Sequence, residues 1–272
     1  MYEDRIIAYI DVLGFKNEIS KTFSDNKEIE PETHRIYNFI SLLHKDFEKA
    51  GLFIDSTYKV TQFSDSIVIS YSKDEKASVF RILMSLLYLQ IDAINYGLLL
   101  RGSITCDLLK HDETHLFGPA INKAHEIEDN ISLFPRILVD EEVITLAMKN
   151  PHDTNTPEYE KQCLEELLKI DFDGFYYIDY FNQGCEEIIA EHGYEVLPDY
   201  FSAICKIIDD NETIKDLRII QKTNWFKAKY NSALQKYKSF GMEKEEYKTI
   251  AMNLGEVKEF EMKLSSFQND NF

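Results

Sequence analysis

An α+β fold is predicted: an antiparallel sheet of ferredoxin-like plan with helices packed on one face. Three observations predict it. Residues 5–12 form a short, continuous apolar run of strand length that Gly14 ends. Residues 57–63 and 66–72 are two strand-like runs joined by a tight Ser64-Asp65-Ser66 turn, the pattern of a β-hairpin. The order along the chain is strand, helices, hairpin, helix, strand, helix, strand, which suits an α+β sandwich.

Each element has its local reason. After the first strand a short helix is expected from Phe15 to about Thr22, then a polar, acidic loop over 23–31. Residues 32–50 carry Ile36, Phe39, Ile40, Leu43 and Phe47 at helical spacing. Residues 76–95 form a second helix with Phe80, Leu83, Leu86, Leu87 and Ile91 inward. Residues 97–107 read as a strand and 109–114 as a polar loop. Phe117-Gly118-Pro119 opens a further helix with proline in its first turn. Short strands are expected at 136–139 and 174–181, an exposed insertion at 150–162, and helices from about 196 to the end, which hold Pro198 and the sole tryptophan, Trp225. Two domains follow: a sheet-bearing domain over 1–185 and a helical extension over 186–272, expected to pack on the core or on a dimer partner.

Composition narrows the function. The 272 residues are 44% hydrophobic and 29% charged, ample for a real core. A net charge of −18 argues against nucleic acid or an anionic membrane surface as partner, though not against a nucleotide handled through metal ions. No apolar run approaches membrane-spanning length, and the chain passes from Met1-Tyr2-Glu3-Asp4-Arg5 straight into a strand, so neither membrane insertion nor a leader is expected. Cys106, Cys163, Cys185 and Cys205 lack metal-ligand spacing, which fits reduced thiols in a cytoplasmic protein.

Two acids stand where acids are costly. Asp11 ends the run Ile6-Ile7-Ala8-Tyr9-Ile10, and Asp65 separates two apolar half-strands. A carboxylate in a buried strand costs several kcal/mol unless a charge meets it. A divalent cation is the natural partner, and two such acids on adjacent strands would make a two-metal site for phosphoryl chemistry. The amides of Leu13, Gly14, Phe15 and Lys16 open a helix where phosphates would be cradled. For each acid the plainer alternative is a capping or turn carboxylate. On the later helix, Ile121, Ala124, Ile127 and Glu128 follow one stripe, and Asn122 by itself reads as a solvated or capping amide.

These segments together resemble the catalytic domain of class III nucleotidyl cyclases. The resemblance rests on Asp11-Val12-Leu13-Gly14-Phe15, on Ser64-Asp65 where the family usually has Gly-Asp, on Arg101-Gly102-Ser103-Ile104, and on Gly118-Pro119-Ala120-Ile121-Asn122-Lys123-Ala124-His125-Glu126-Ile127-Glu128. It spans residues 5–181. It implies that Asp11 and Asp65, with the Val12 carbonyl, hold two Mg²⁺ or Mn²⁺ ions. It implies that Asn122 orients the ribose of a nucleoside triphosphate, and that a homodimer shares its active sites between chains. Glu126 stands where the family has its transition-state arginine; Arg136, in Phe134-Pro135-Arg136-Ile137, is the candidate replacement. The family's purine-selecting positions hold Thr61 and His115 here, so Thr61, Arg101 or His115 would read a pyrimidine edge. The Ser-Asp-Ser turn, the Phe-Gly-Pro-Ala start and the Pro-Arg-Ile segment resemble one branch, the pyrimidine cyclases of bacterial anti-phage defence. Those make cyclic UMP or cyclic CMP, which activates a downstream effector; UTP is preferred here over CTP. Two other readings remain open: an inactive cyclase fold that binds a nucleotide as a sensor, and a two-metal phosphoesterase or polymerase-like palm.

Overall fold

A computed structural model describes residues 1–25, 27–50 and 57–261, with no side chains for 43–50. The side chains of Leu43 and Phe47, and the helical expectation beyond 261, therefore lie outside what is described. The chain divides into two compact units, Met1–Asp179 and Tyr180–Phe272, a division ahead of the expected boundary at 185.

The first unit is a mainly antiparallel sheet with helices. Its elements run β1 (Glu3–Val12), α1 (Phe15–Ser20), β2 (Phe23–Ser24), β3 (Lys27–Glu28), α2 (Glu30–Ala50), β4 (Lys59–Phe63), β5 (Ser66–Ser72), α3 (Ser78–Asn95), β6 (Leu100–His111), β7 (Leu116–Phe117), α4 (Pro119–Asn130), β8 (Ile137–Val139), α5 (Glu141–Lys149), α6 (Pro157–Leu167), β9 (Leu168–Ile170) and β10 (Tyr176–Ile178). The sheet order is β4-β5-β1-β6-β8-β10-β9, with β7 paired to β6. All its pairings are antiparallel except β6 with β8.

β1 is central and buried on both sides. Ile6, Ala8 and Ile10 point one way, and Ile7, Tyr9 and Asp11 the other, because side chains alternate along a strand. The second set meets α4: Ile7, Val68 and Leu109 close on Ala120 and Ala124, and Tyr9, Leu116 and Ile121 pack at the margin. Each fully buried aliphatic side chain there contributes about 1.5–3 kcal/mol. α3 packs against β1, β5 and β10 and buries Leu83, Leu86, Leu87 and Ile91. Ser103 Oγ ties α4 to the sheet by donating to the Ala124 carbonyl at 2.7 Å.

Three expectations change. The loop expected at 23–31 holds the small β2–β3 hairpin. β6 runs on to His111 because its end pairs with β7, so the expected 109–114 loop is shorter. The insertion expected at 150–162 contains the start of α6. Thr156 caps that helix by accepting from the Tyr159 amide at 3.2 Å, Pro157 opens it, and Glu158 and Glu160 suit its positive end.

The second unit is helical: α7 (Asn182–His192), α8 (Leu197–Glu212), α9 (Leu217–Glu243) and α10 (Lys248–Glu256). Trp225, Phe226, Tyr230, Leu234 and Tyr237 of α9 are buried, while Ile219 and Ile220, which share their apolar spacing, are half-buried. Lys227 is buried too, with its ammonium 2.5 Å from Glu212.

Candidate active site

Asp11 stands one residue before the end of β1, after an apolar run, and Gly14, at φ 72, turns the chain into α1. The β4–β5 turn brings Asp65 alongside. Asp11 pairs with Ser66 in register, and the Val12 amide donates to the Asp65 carbonyl at 3.1 Å. The two acids therefore sit at one end of adjacent strands, the arrangement expected from the sequence. Ser64 makes that turn with φ 55, a left-handed conformation unusual for serine.

Asp11 faces a cation of the chain itself. Arg101, its register partner on β6, donates from Nε to Asp11 Oδ2 at 3.1 Å. The other side of the same guanidinium lies 2.6 Å from Glu128 Oε1 on α4. Asp11 and Arg101 are each about one-fifth exposed and Glu128 is 3% exposed. Burial pushes the Glu128 carboxyl up; Arg101 opposes that rise, Asp11 adds to it, and His125 opposes it. Gly102 follows Arg101 where a Cβ would stand 2.4 Å from the Tyr9 carbonyl, so the close approach of β1 to β6 requires glycine.

α4 presents its other functional face to a cleft of about 830 Å³. Tyr9, Phe63, Asn122, His125 and Glu126 are among its walls. Asn122 and Glu126 are one turn apart and both exposed. The His125 ring stacks on Tyr9, centroids 5.1 Å apart. Neither Asp11 nor Asp65 lines the cleft.

The remaining expected residues lie elsewhere or are already engaged. The Leu13 amide donates to the Leu99 carbonyl at 2.8 Å, which leaves Gly14, Phe15 and Lys16 of the expected cradle. Arg136 does not face the cleft. Its side chain is fully buried, its guanidinium forks between Asp171 and Asp173, and it lies over the Phe134 ring at 5.1 Å. Arg136, expected to replace the transition-state arginine, thus has its guanidinium engaged by two carboxylates of the chain itself. Thr61 Oγ1 is 2.8 Å from His111 Nε2. His115 is exposed and sits 3.1 Å from Asp112. Arg101 stands at the opposite end of β6 from these two, so the three expected base readers are not brought together.

Sequence reasoning passed over Glu128 as a site residue, and passed over His111 and Tyr9. Glu128 left a signal, an acid on the apolar stripe of an amphipathic helix. His111 left none, since its partners Ser70 and Thr61 are 41 and 50 residues away.

Among the described residues no group of three or more His, Cys, Asp or Glu is gathered as a metal site. Asp11 and Asp65 nonetheless suit a hard cation. They are oxygen donors on joined strands, a guanidinium already marks Asp11 as a cation site, and Mg²⁺ characteristically takes one or two carboxylates and completes its shell with substrate phosphates and water.

The fold is similar to that of two solved nucleotide cyclases. One is a bacterial light-regulated adenylyl cyclase, 14% identical with a TM-score of 0.38 over 54% of this chain and 45% of that one. The other is the catalytic core of a rhodopsin-guanylyl cyclase with converted specificity in complex with ATPαS, 14% identical with a TM-score of 0.38 over 65% of this chain and 95% of that one. This chain thus spans about half the length of the first. No protein-family model matches the sequence, and no curated protein matches it. No described helix is long and apolar enough to cross a membrane.

Proposed function

We propose that this chain is a nucleotidyl cyclase that converts UTP or CTP into the 3′,5′-cyclic monophosphate and pyrophosphate, as a homodimer with shared active sites. In this reading the product is a second messenger of anti-phage defence that activates a downstream effector in the cytoplasm. The observation that carries it is the meeting of Asp11 and Asp65 at the β1–β5 sheet end, joined by the Val12 to Asp65 hydrogen bond. The motif order on β6 and α4 supports it.

Asp11 and Asp65, with the Val12 carbonyl, would hold Mg²⁺ or Mn²⁺. When bound, such ions make the ribose 3′-hydroxyl more acidic and offset charge on the triphosphate. The chain's own residues do the rest. The Asn122 amide, exposed at the cleft, orients the ribose through its donor and acceptor. The amides of Gly14, Phe15 and Lys16 approach the phosphates. His115, alone among the three base-reading candidates in being largely exposed, would meet a pyrimidine edge. The cleft that Asn122 lines opens beside Tyr9 and Phe63, next to the two acids, and in this reading a second chain completes the site.

A second reading has its own observation. Glu126 occupies the arginine position and Arg136 is held by its own acids, so no arginine of the family's kind faces the cleft in the described chain. An inactive, nucleotide-binding sensor would look like this. Incubation with each of ATP, GTP, CTP and UTP plus Mn²⁺, read by mass spectrometry, separates the two. Cyclic UMP or CMP that disappears in Asp65→Ala, by 100-fold or more on the order expected when metal-site electrostatics are lost, supports the cyclase. A folded protein that binds a nucleotide and turns over none of the four supports the sensor.

A further inference from the structure

Arg101 is the one side chain that bridges the two halves of the site among the contacts described above, and the cyclase reading as it stands gives it no chemistry there. Its guanidinium is shared between Asp11 on β1 and Glu128 on α4, at 3.1 and 2.6 Å. We propose that Arg101 is a displaceable internal cation. It neutralises Asp11 while no divalent ion is present, and it withdraws from Asp11, staying on Glu128, when one binds. The inference rests on the reading of Asp11 as a cation ligand and deepens it.

Three features argue for displacement. First, a divalent cation on Asp11 and a guanidinium within hydrogen-bonding distance of the same carboxylate repel each other strongly at a site this sheltered. Second, the two anchors are unequal. Glu128 is nearly fully buried, and a buried carboxylate that loses its cation is heavily penalised, whereas Asp11 at the strand end would gain a new cation in exchange. Third, the contacts use different nitrogens, Nε to Asp11 and Nη2 to Glu128, so rotation within the arginine side chain breaks one and keeps the other. Because α4 also carries Asn122, the same rotation would tell the ribose-orienting helix whether the cation is in place.

The test is Mn²⁺ binding by the full chain without nucleotide, followed by loss of the free-ion electron paramagnetic resonance signal. Four proteins are compared with the parent: Asp11→Asn, Arg101→Met, Glu128→Gln and the Arg101→Met/Glu128→Gln double. An adjacent guanidinium ordinarily changes a carboxylate's proton affinity by about tenfold or more. Arg101→Met should therefore bind Mn²⁺ about tenfold more tightly than the parent, and Asp11→Asn should lose binding. If burial of an unpaired Glu128 unfolds the single variant, the double variant, which removes the Glu128 charge together with its partner, should show the same gain over Glu128→Gln. Binding by Arg101→Met with none by the parent also supports the proposal. Unchanged or weaker binding in folded arginine variants, with binding still lost in Asp11→Asn, overturns the internal cation and leaves the Asp11 site standing. Absence of Mn²⁺ binding in every protein overturns both.

Discussion

A carboxylate at the buried end of a strand needs a cation, and Asp11 has found one in Arg101. The same physics explains Arg136, which is buried only because Asp171 and Asp173 take up its charge. His111 solves the problem differently, by staying neutral. Burial first, then Arg5 and Lys59, hold its imidazole down from 6.5 to about 4, while Ser70 and Thr61 bond its two nitrogens. In the unfolded chain it titrates near 6.5, so below that pH the unfolded state takes a proton that the folded state refuses. The contribution is complete above pH 6.5 and is lost as pH falls towards about 4, on the order of 3 kcal/mol in all. Urea unfolding of the parent should weaken over this window more steeply than that of His111→Gln. Parallel losses in the two proteins would show that carboxylates alone set the acid limit.

At the scale of elements, the site is made by two tight features. The β4–β5 hairpin places Asp65 by forcing Ser64 to φ 55, where a Cβ crowds the following carbonyl at a cost of about 1–2 kcal/mol. Ser64→Gly should therefore raise unfolding free energy by about 1 kcal/mol without moving the hairpin register, measured by chemical denaturation. A decrease would mean that the serine side chain makes up for the strain. The start of α4 is as constrained. A Cβ on Gly118 would lie 2.7 Å from the Leu108 carbonyl, so glycine is what lets α4, with Asn122 and Glu128, sit down on β6. The elements legible in the sequence were those with a long apolar run or full helical period: β1, β5, α2, α3 and α4. α5 is legible only weakly because it is short, and α6 because it is short and polar, although Asp140-Glu141-Glu142 and Thr156-Pro157-Glu158 carry capping signals. The sheet partners β7 and β9 are too short for any periodicity and exist only because a neighbouring strand pairs with them.

For the molecule as a whole, charge is the dominant fact. At −18 per chain, two copies repel, and any homodimer forms against that repulsion. The screening length shrinks from about 30 Å at 0.01 M salt to about 8 Å at 0.15 M. Dimerisation, followed by sedimentation velocity, should therefore tighten as salt rises over this range. Weakening with salt would point instead to an interface held by opposite charges and would count against simple self-repulsion.

The class of fold, the two acids at the strand end and the helix that bears Asn122 are all legible along the chain. These follow from local terms: apolar periodicity, glycine and proline at turns, and the cost of an acid inside a strand. Which charge neutralises which is settled only on folding. Arg101 lies 90 residues from Asp11, and Arg136 lies 35 residues from Asp171. No local pattern distinguishes an arginine that will meet a phosphate from one that will be claimed by a carboxylate. That choice is made by strand register and burial, which bring charges together irrespective of their distance along the chain.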